Sequence, residues 1–325
     1  MDSLTLDEID HRLVHELQRD GRAPFSRLAE VLGVSEHTVA RRYRRLHTLG
    51  LRVVGVPGRR PSAGATRWLL RVHCTPDASA KIADALARRP DTAWVGIASA
   101  GTELHCAVET RTTRERDALL LDKLPQTPRV GPVHAYHLLH AFSGAADAWH
   151  IPDPTPTTRA TDDRQEEPPQ PAPDARTPDA LDEQLIGELA KDGRATVSRL
   201  AQGTGRSPAA VARRLDRLRA TAALRLAVDF VPELLGYHLL VRFWLRVAPG
   251  RLGTVGAALA AHPEIPFAAA TTGPSNLVAT GMFHDTDELY RYLDHRIGAL
   301  PGVQSIETTP ILREVKRLTY NNASR

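Results

Sequence analysis

Residues 35–46 read SEHTVARRYRRL, with Arg41, Arg42, Arg44 and Arg45 set among a sparse apolar stripe of Val39, Tyr43 and Leu46. Guanidinium groups are planar, permanently charged forks that match phosphate and guanine, so this stretch has the chemistry of a phosphodiester contact. The text returns at 207–218 as SPAAVARRLDRL, where Arg213, Arg214 and Arg217 match Arg41, Arg42 and Arg45. Matching arginines suit contacts to the nucleic-acid backbone, which position a protein without reading sequence. The first residues of such a helix differ. Glu36, His37 and Thr38 can all hydrogen-bond to base edges, whereas Pro208, Ala209 and Ala210 offer at most apolar contact with thymine methyls. The first copy should therefore read bases and the second should mainly hold phosphate.

The elements that must position these residues are legible around them. Asp10–Leu46 aligns without a gap on Asp182–Leu218, sharing DGRA (20–23, 192–195), SRLA (26–29, 198–201) and VARR (39–42, 211–214). Each copy predicts three short helices. Ile9, Leu13 and Leu17, or Leu181, Leu185 and Leu189, make one apolar face at four-residue spacing. Gly21 or Gly193 would stop that helix. Ala29 and Ala201 are small enough for two helices to cross, Gly33 and Gly205 turn the chain, and Ser35 and Ser207 cap the basic helix. This is the pattern of a helix-turn-helix. A solvated surface helix can also be arginine-rich, but turn, cap, stripe and charge agree here at once. Thr204 and Arg206 replace Leu32 and Val34, so the second copy should have the looser core.

Between the copies, residues 151–179 hold eight prolines and no apolar periodicity, the composition of a disordered linker. At that length it would span about 30 Å as a flexible coil and about 90 Å as polyproline II. The remaining stretches alternate strand and helix in the order βαββαβ, a ferredoxin-like sandwich. The expected organisation is α+β, with two winged or three-helix helix-turn-helix domains and two ferredoxin-like βαββαβ sandwiches in tandem. The boundaries are 1–55, 65–145, a linker at 146–179, 180–227 and 228–325.

The order of parts resembles the Lrp/AsnC family. LDEIDHRLVHELQRDGR and LGVSEHTVARRYRRL look like its DNA-binding half, and GALPGVQSIETTPILREVK looks like the end of its sensing domain. The resemblance implies a transcriptional regulator that binds double-stranded DNA, responds to a small effector such as an amino acid, and assembles through its sensing domains. It places the effector at the turn after the second strand of that domain, usually a Gly followed by an Asp. The matching residues are Thr271, Thr272, Gly273 and Asn276, and in the first half Gly101, Thr102 and Glu103 after Ser99, in a turn read as one residue shorter. The acid is absent from the second turn and is displaced to Glu103 in the first.

Other chemistries find less support. Cys74 and Cys106 alternate in phase with Leu70, Val72, Leu104 and Val108, so they should face the helices as buried thiols. His73 and His105 should face the other way with Arg71 and Glu103, His134 and His140 should share a face, and His137 should take the opposite one. That spread makes no zinc site. Asp7, Glu8 and Asp10 fall in a helix first turn, where the dipole accounts for them. No nucleophile elbow, phosphate-cradling loop or metalloprotease helix occurs, so neither catalysis nor a cofactor is expected.

The chain has 325 residues, a formal charge of +4 and a pI near 9.3. It lacks a membrane-length apolar run and a signal-peptide pattern, so the expected location is cytoplasmic. Two DNA grips on one polypeptide point to an intrachain pseudo-dimer, with further homo-oligomers open. Two rival readings are an architectural nucleoid-type binder without effector and an enzyme or carrier built on the ferredoxin-like domains.

Overall fold

The computed structural model describes residues 6–57, 65–143, 179–221, 223–318 and 320–321. The proline-rich segment read as a linker lies outside the described residues, apart from Asp179. In chain order the first half carries helices α1 (Glu8–Arg19), α2 (Phe25–Leu32) and α3 (Glu36–Thr48) and strand β1 (Arg52–Pro57). It continues with β2 (Thr66–Cys74), α4 (Pro76–Ala87), β3 (Thr92–Ala98) and β4 (Glu103–Thr110). Helix α5 (Thr113–Asp117) then runs through a π-helical stretch, Ala118–Lys123, into α6 (Leu124–Gln126), and β5 (Val130–Ser143) follows. The second half repeats this with α7 (Ala180–Lys191), α8 (Val197–Thr204), α9 (Pro208–Ala220), β6 (Leu224–Asp229), β7 (Leu239–Val247) and α10 (Leu252–Ala260). It ends with β8 (Phe267–Thr271), β9 (Leu277–Phe283), α11 (Thr286–Arg291) with its π-helical continuation Tyr292–Ile297, β10 (Val303–Arg317) and β11 (Tyr320–Asn321).

The contacts divide the chain into two compact units, each drawn from both halves: residues 1–60 with 151–235, and 61–150 with 236–325. The cut expected between 227 and 228 falls inside β6, which belongs wholly to the first unit.

The first unit is two three-helix bundles. Leu13, Leu17, Leu28, Val39 and Leu46 form the core of one; Leu185, Leu189, Leu200, Val211, Leu215 and Leu218 form the other. Gly33 and Gly205 adopt left-handed conformations, φ +67° and +64°, which glycine takes without a Cβ penalty. Gly21 and Gly193 do not end α1 and α7 in that way, contrary to expectation; Asp20 and Asp192 cap those helices in extended conformation. Both glycines are instead needed for close approach, since a Cβ would come within 2.7 Å of Val53 Cγ1 at Gly21 and 2.9 Å of the Val53 backbone at Gly193. β1 and β6 pair antiparallel from Arg52↔Asp229 to Val56↔Arg225 and beyond, tying the two bundles together.

The second unit holds the two βαββαβ sandwiches. Each last strand is long enough to serve two sheets. β5 pairs with β2 over Val130–His137 and then with β8 over Leu138–Ser143; β10 pairs with β7 over Val303–Pro310 and then with β3 over Ile311–Lys316. The strands therefore close into a ring, β10-β3-β4-β2-β5-β8-β9-β7 and back to β10, with β11 on the outer edge of β10. The change of sheet needs an extra residue. β-bulges shift the register between Leu138 and His140 and between Ile311 and Arg313, leaving Leu139 and Leu312 exposed. A bulge inverts the side-chain phase that follows it. His140 consequently lies against Phe142, ring centroids 4.8 Å apart, whereas His134 meets His73 at 5.8 Å. The shared face expected for His134 and His140 is thus broken by the bulge. Cys74 and Cys106 are buried in the helix-side core with Leu70, Val72, Leu104 and Val108.

Candidate nucleic-acid interface and the interior of the sensing unit

α3 begins at Ser35, whose hydroxyl accepts from the Thr38 N–H at 3.2 Å and lies 2.9 Å from the Thr38 hydroxyl. α9 begins likewise at Ser207, which accepts from the Ala210 N–H at 3.3 Å. Glu36 and His37 are exposed and Thr38 is half-buried; Pro208 and Ala209 are exposed and Ala210 is half-buried. Val39 and Leu46 are buried and Tyr43 packs on Phe25 with centroids 5.4 Å apart, so one side of α3 is docked and the start of the helix is open.

The matched arginines separate into two groups. Arg41 and Arg213 are exposed, and no ion pair among the described residues engages them. Arg42 instead donates to Asp7 at 2.6 Å and to Asp10 at 2.9 Å, and Arg45 lies 3.3 Å from Asp10. The second copy repeats the arrangement: Arg214 binds Asp179 and Asp182, and Arg217 reaches Asp182 at 2.7 Å. Asp10 and Asp182 are buried. Asp7 and Asp10 also form a capping box at the start of α1, as Asp179 and Asp182 do for α7. Burial would raise the Asp7 carboxyl, but the bonds from Arg42 and the Asp10 N–H outweigh it and bring it below the usual carboxylate range. Arg42, Arg45, Arg214 and Arg217 thus do more than the sequence reading assigned them: they also clamp each basic helix to the first helix of its bundle, while Arg45 and Arg217 stay exposed. The dipole explains only part of what Asp7 and Asp10 do. The signal lay in the sequence, because both acids and both arginines recur in the two copies.

The two bundles also exchange side chains. Arg194 donates to the Gly21 carbonyl at 2.6 Å and the Ala23 carbonyl at 2.9 Å, and its guanidinium stands over the Phe25 and Tyr43 rings at 4.7 and 5.2 Å. Arg22 answers with one bond to the Gly193 carbonyl, 2.8 Å, and Arg219 pairs with Asp20 at 3.1 Å. Both recognition helices thus belong to one braced headpiece. In the second bundle Thr204 turns its hydroxyl back onto the Leu200 carbonyl at 2.8 Å, where Leu32 is buried in the first.

In the sensing unit, the residues of the two effector turns mostly satisfy one another. Both turns have the same length, since Ala98 pairs with Glu103 and the Thr271 N–H bonds the Asn276 carbonyl; the reading of a shorter first turn is corrected. Ala100, at φ +53°, occupies the place that Gly273 fills at φ +100°. Asn276 clamps the end of β7, accepting from the Val247 N–H and donating to its carbonyl, both at 2.8 Å. Thr271 donates to the Ser275 carbonyl, Thr272 accepts from the His137 N–H, and Thr102 donates to the Ser99 carbonyl. Gly101 packs on Ser79.

Glu103 is buried, and the Ser99 hydroxyl of the turn donates to its carboxylate at 3.4 Å. Arg71 bridges it to Glu307, donating at 3.1 Å to Glu103 and 2.9 Å to Glu307, and stands 5.1 Å from the Trp244 ring. His105 contacts Glu103 at 2.5 Å and meets Trp244 edge-on. Leu69, Tyr136, Trp244 and Val278 pack around this network. Burial would raise the Glu103 carboxyl, yet bonds from His105 and Arg71 hold it down at about 2. Burial pushes the His105 imidazole down to about 4; Glu103 opposes this, and Arg242 and Arg71 add to it. A group whose pKa is lower folded than unfolded supplies stability that fades as pH falls from the unfolded to the folded value. For His105 that window runs from 6.5 down to about 4. Urea unfolding followed from pH 7.5 to 4.5 should show falling stability, and His105→Gln should reduce the slope by about one proton. Identical slopes in the two proteins would remove His105 from the account. Among the described residues no three His, Cys, Asp or Glu side chains converge as metal ligands, and no helix is long and apolar enough to cross a membrane.

A headpiece with two capped, basic helix-turn-helix units, carried on a chain with paired ferredoxin-like domains, defines a DNA-binding regulator. The AsnC-type helix-turn-helix domain matches residues 6–47 and 179–219, and the Lrp/AsnC ligand binding domain matches 241–320. The HTH-type transcriptional regulator FL11 of Pyrococcus horikoshii is 30% identical over 142 residues, which are 43% of this chain and 93% of that protein. Regulatory protein AsnC of Haemophilus influenzae is 27% identical over 145 residues, 42% of this chain and 97% of that one. Each relative is matched almost whole by less than half of this chain, as a duplication requires. The chain belongs to the Lrp/AsnC family of transcriptional regulators. The crystal structure of the siroheme decarboxylase NirDL shares the fold at a TM-score of 0.61 and 15% identity, covering 97% of this chain and 94% of that one.

Proposed function

We propose that one chain of this regulator grips two half-sites of double-stranded DNA by itself, acting by binding and not by catalysis. The observation that carries this is the headpiece, where β1 and β6 pair and Arg22 and Arg194 cross between bundles, so that both recognition helices are held without a second chain. Recognition helices that serve adjacent major grooves normally come from two subunits. Arg41 and Arg213 are exposed matched cations with no ion pair among the described residues, and a cleft lined by Arg41, Arg42 and Arg45 marks the basic side of α3. An effector such as an amino acid is the second part of the reading, supported by the ligand binding domain match over 241–320.

The test is DNA affinity measured against salt. Each lost phosphate contact flattens the log–log slope by about one unit. Arg41→Ala and Arg213→Ala should each weaken binding to every sequence, reduce the slope by about one, and leave the fold intact. Unchanged affinity and slope in both variants would take these helices off the DNA. Footprinting upstream of the protein's own gene separates a sequence-specific regulator from an architectural binder, which would protect DNA without preference.

A further inference from the structure

The two strands that change sheets follow equivalent paths but carry unlike side chains. Pairing register matches Leu70, Cys106 and Ala135 of the first sensing domain to Phe243, Ala279 and Thr308 of the second. The first difference is size. Near the end of β5 the register shifts at Phe142, whose ring lies on α10 at Gly256; a Cβ at Gly256 would come within 2.2 Å of that ring. At the equivalent crossing the residue is Val315, in one core with Ala83, the α4 residue that corresponds to Gly256. A large ring is thus matched to a missing side chain, and a valine to a methyl.

The second difference is charge. Glu307 on β10 pairs with Arg71, and the corresponding positions in the other direction hold His134 and Trp244. Lys316 adds a third, passing its buried ammonium to the Arg89 carbonyl at 2.8 Å and the Thr92 hydroxyl at 3.1 Å; its counterpart is Ser143. Two first domains brought together would set Phe142 against the Ala83 methyl and Arg71 against His134. Two second domains would leave a void between Val315 and Gly256, and Glu307 would face Trp244 without a guanidinium. Specificity commonly rests on such clashes and unpaired charges against the wrong partner.

We infer that the two sensing domains are built to pair with each other and to reject a like partner, so each half recognises the other half of the chain and not a second copy of itself. The surface concerned is the crossing strand with the helix and sheet interior that receive it. This inference goes beyond the DNA reading and does not depend on it.

The experiment uses the full chain with a protease site placed between residues 151 and 178. The folded protein is cut, the halves are separated in urea and returned to buffer together, and the pairs are weighed by native mass spectrometry. Unselective pairing gives about half mixed pairs, and the wild type should give more than about nine in ten. Gly256→Ala alone should lower the yield of mixed pairs, and adding Phe142→Val should restore packing. That double variant makes both crossings valine on alanine and leaves the headpiece untouched, so like–like pairs should rise several-fold over wild type. Abundant like–like pairs in the wild type would overturn the inference, as would a double variant indistinguishable from it.

Discussion

Asp10→Ala is expected to remove about 3 kcal/mol from the stability of the headpiece, at the lower end of what breaking a buried ion pair costs. The Asp10 side chain is 0% exposed, and it accepts from Arg42, Arg45 and the Asp7 N–H. Its loss would leave Arg42, 17% exposed, with Asp7 alone. Asp182→Ala should act alike in the second bundle, where Arg214 and Arg217 converge. DNA binding should fall with the folded fraction, and a temperature low enough to restore the fold should restore much of the affinity. Arg41→Ala is the contrast: stability within about 0.5 kcal/mol of wild type, with affinity and salt slope reduced. Urea unfolding of the full chain, followed beside DNA titrations, separates the two. A loss below about 1 kcal/mol for Asp10→Ala would mean that the clamp is ordinary surface pairing.

The second large effect concerns what the two grips read. His37→Ala with Thr38→Ala should relax the preferred DNA sequence about 10- to 100-fold at one half-site, since a good base contact discriminates by about 1–3 kcal/mol. His37 is exposed at the start of α3, and the Ser35 cap uses the backbone N–H of Thr38, which the substitution keeps. Ala209→Ser with Ala210→Ser should change the preference little, because the second copy presents no base-reading group that the change would remove. Selection from random DNA with the wild type and both double variants gives the answer. Two equally sharp half-sites, unmoved by the first change, would show that another element reads the bases.

These expectations differ in how much of them the sequence supplied. The helix starts at Ser35 and Ser207, the left-handed glycines 33 and 205, the stripe of Val39, Tyr43 and Leu46, and the inward phase of Cys74 and Cys106 were legible. Each depends on residues within one or two turns of helix or one strand period. Duplication helped further, since it offered the same local pattern twice. The arginines were legible as a basic helix but not as two functional groups. Which of them carried an ion pair depended on Asp7 and Asp10, at the start of another helix.

What the sequence determined alone is the set of elements and their chemistry: two capped basic helices, two βαββαβ runs, and an asymmetry between Glu36-His37-Thr38 and Pro208-Ala209-Ala210. What only the tertiary structure decided is which of those residues meet. Arg42 reaches from one helix to Asp10 on another, Arg194 of one bundle lies over Phe25 and Tyr43 of the other, and the exposed Glu307 finds Arg71 of the other half of the chain. The bulges between Leu138 and His140 and between Ile311 and Arg313 redirect the side chains that follow, up to the second register shifts at Ala141/Ser143 and Glu314/Lys316. Periodicity along a chain reports the face a residue takes within its own element; a contact between distant elements depends on register and sheet exchange, which a periodic pattern does not encode.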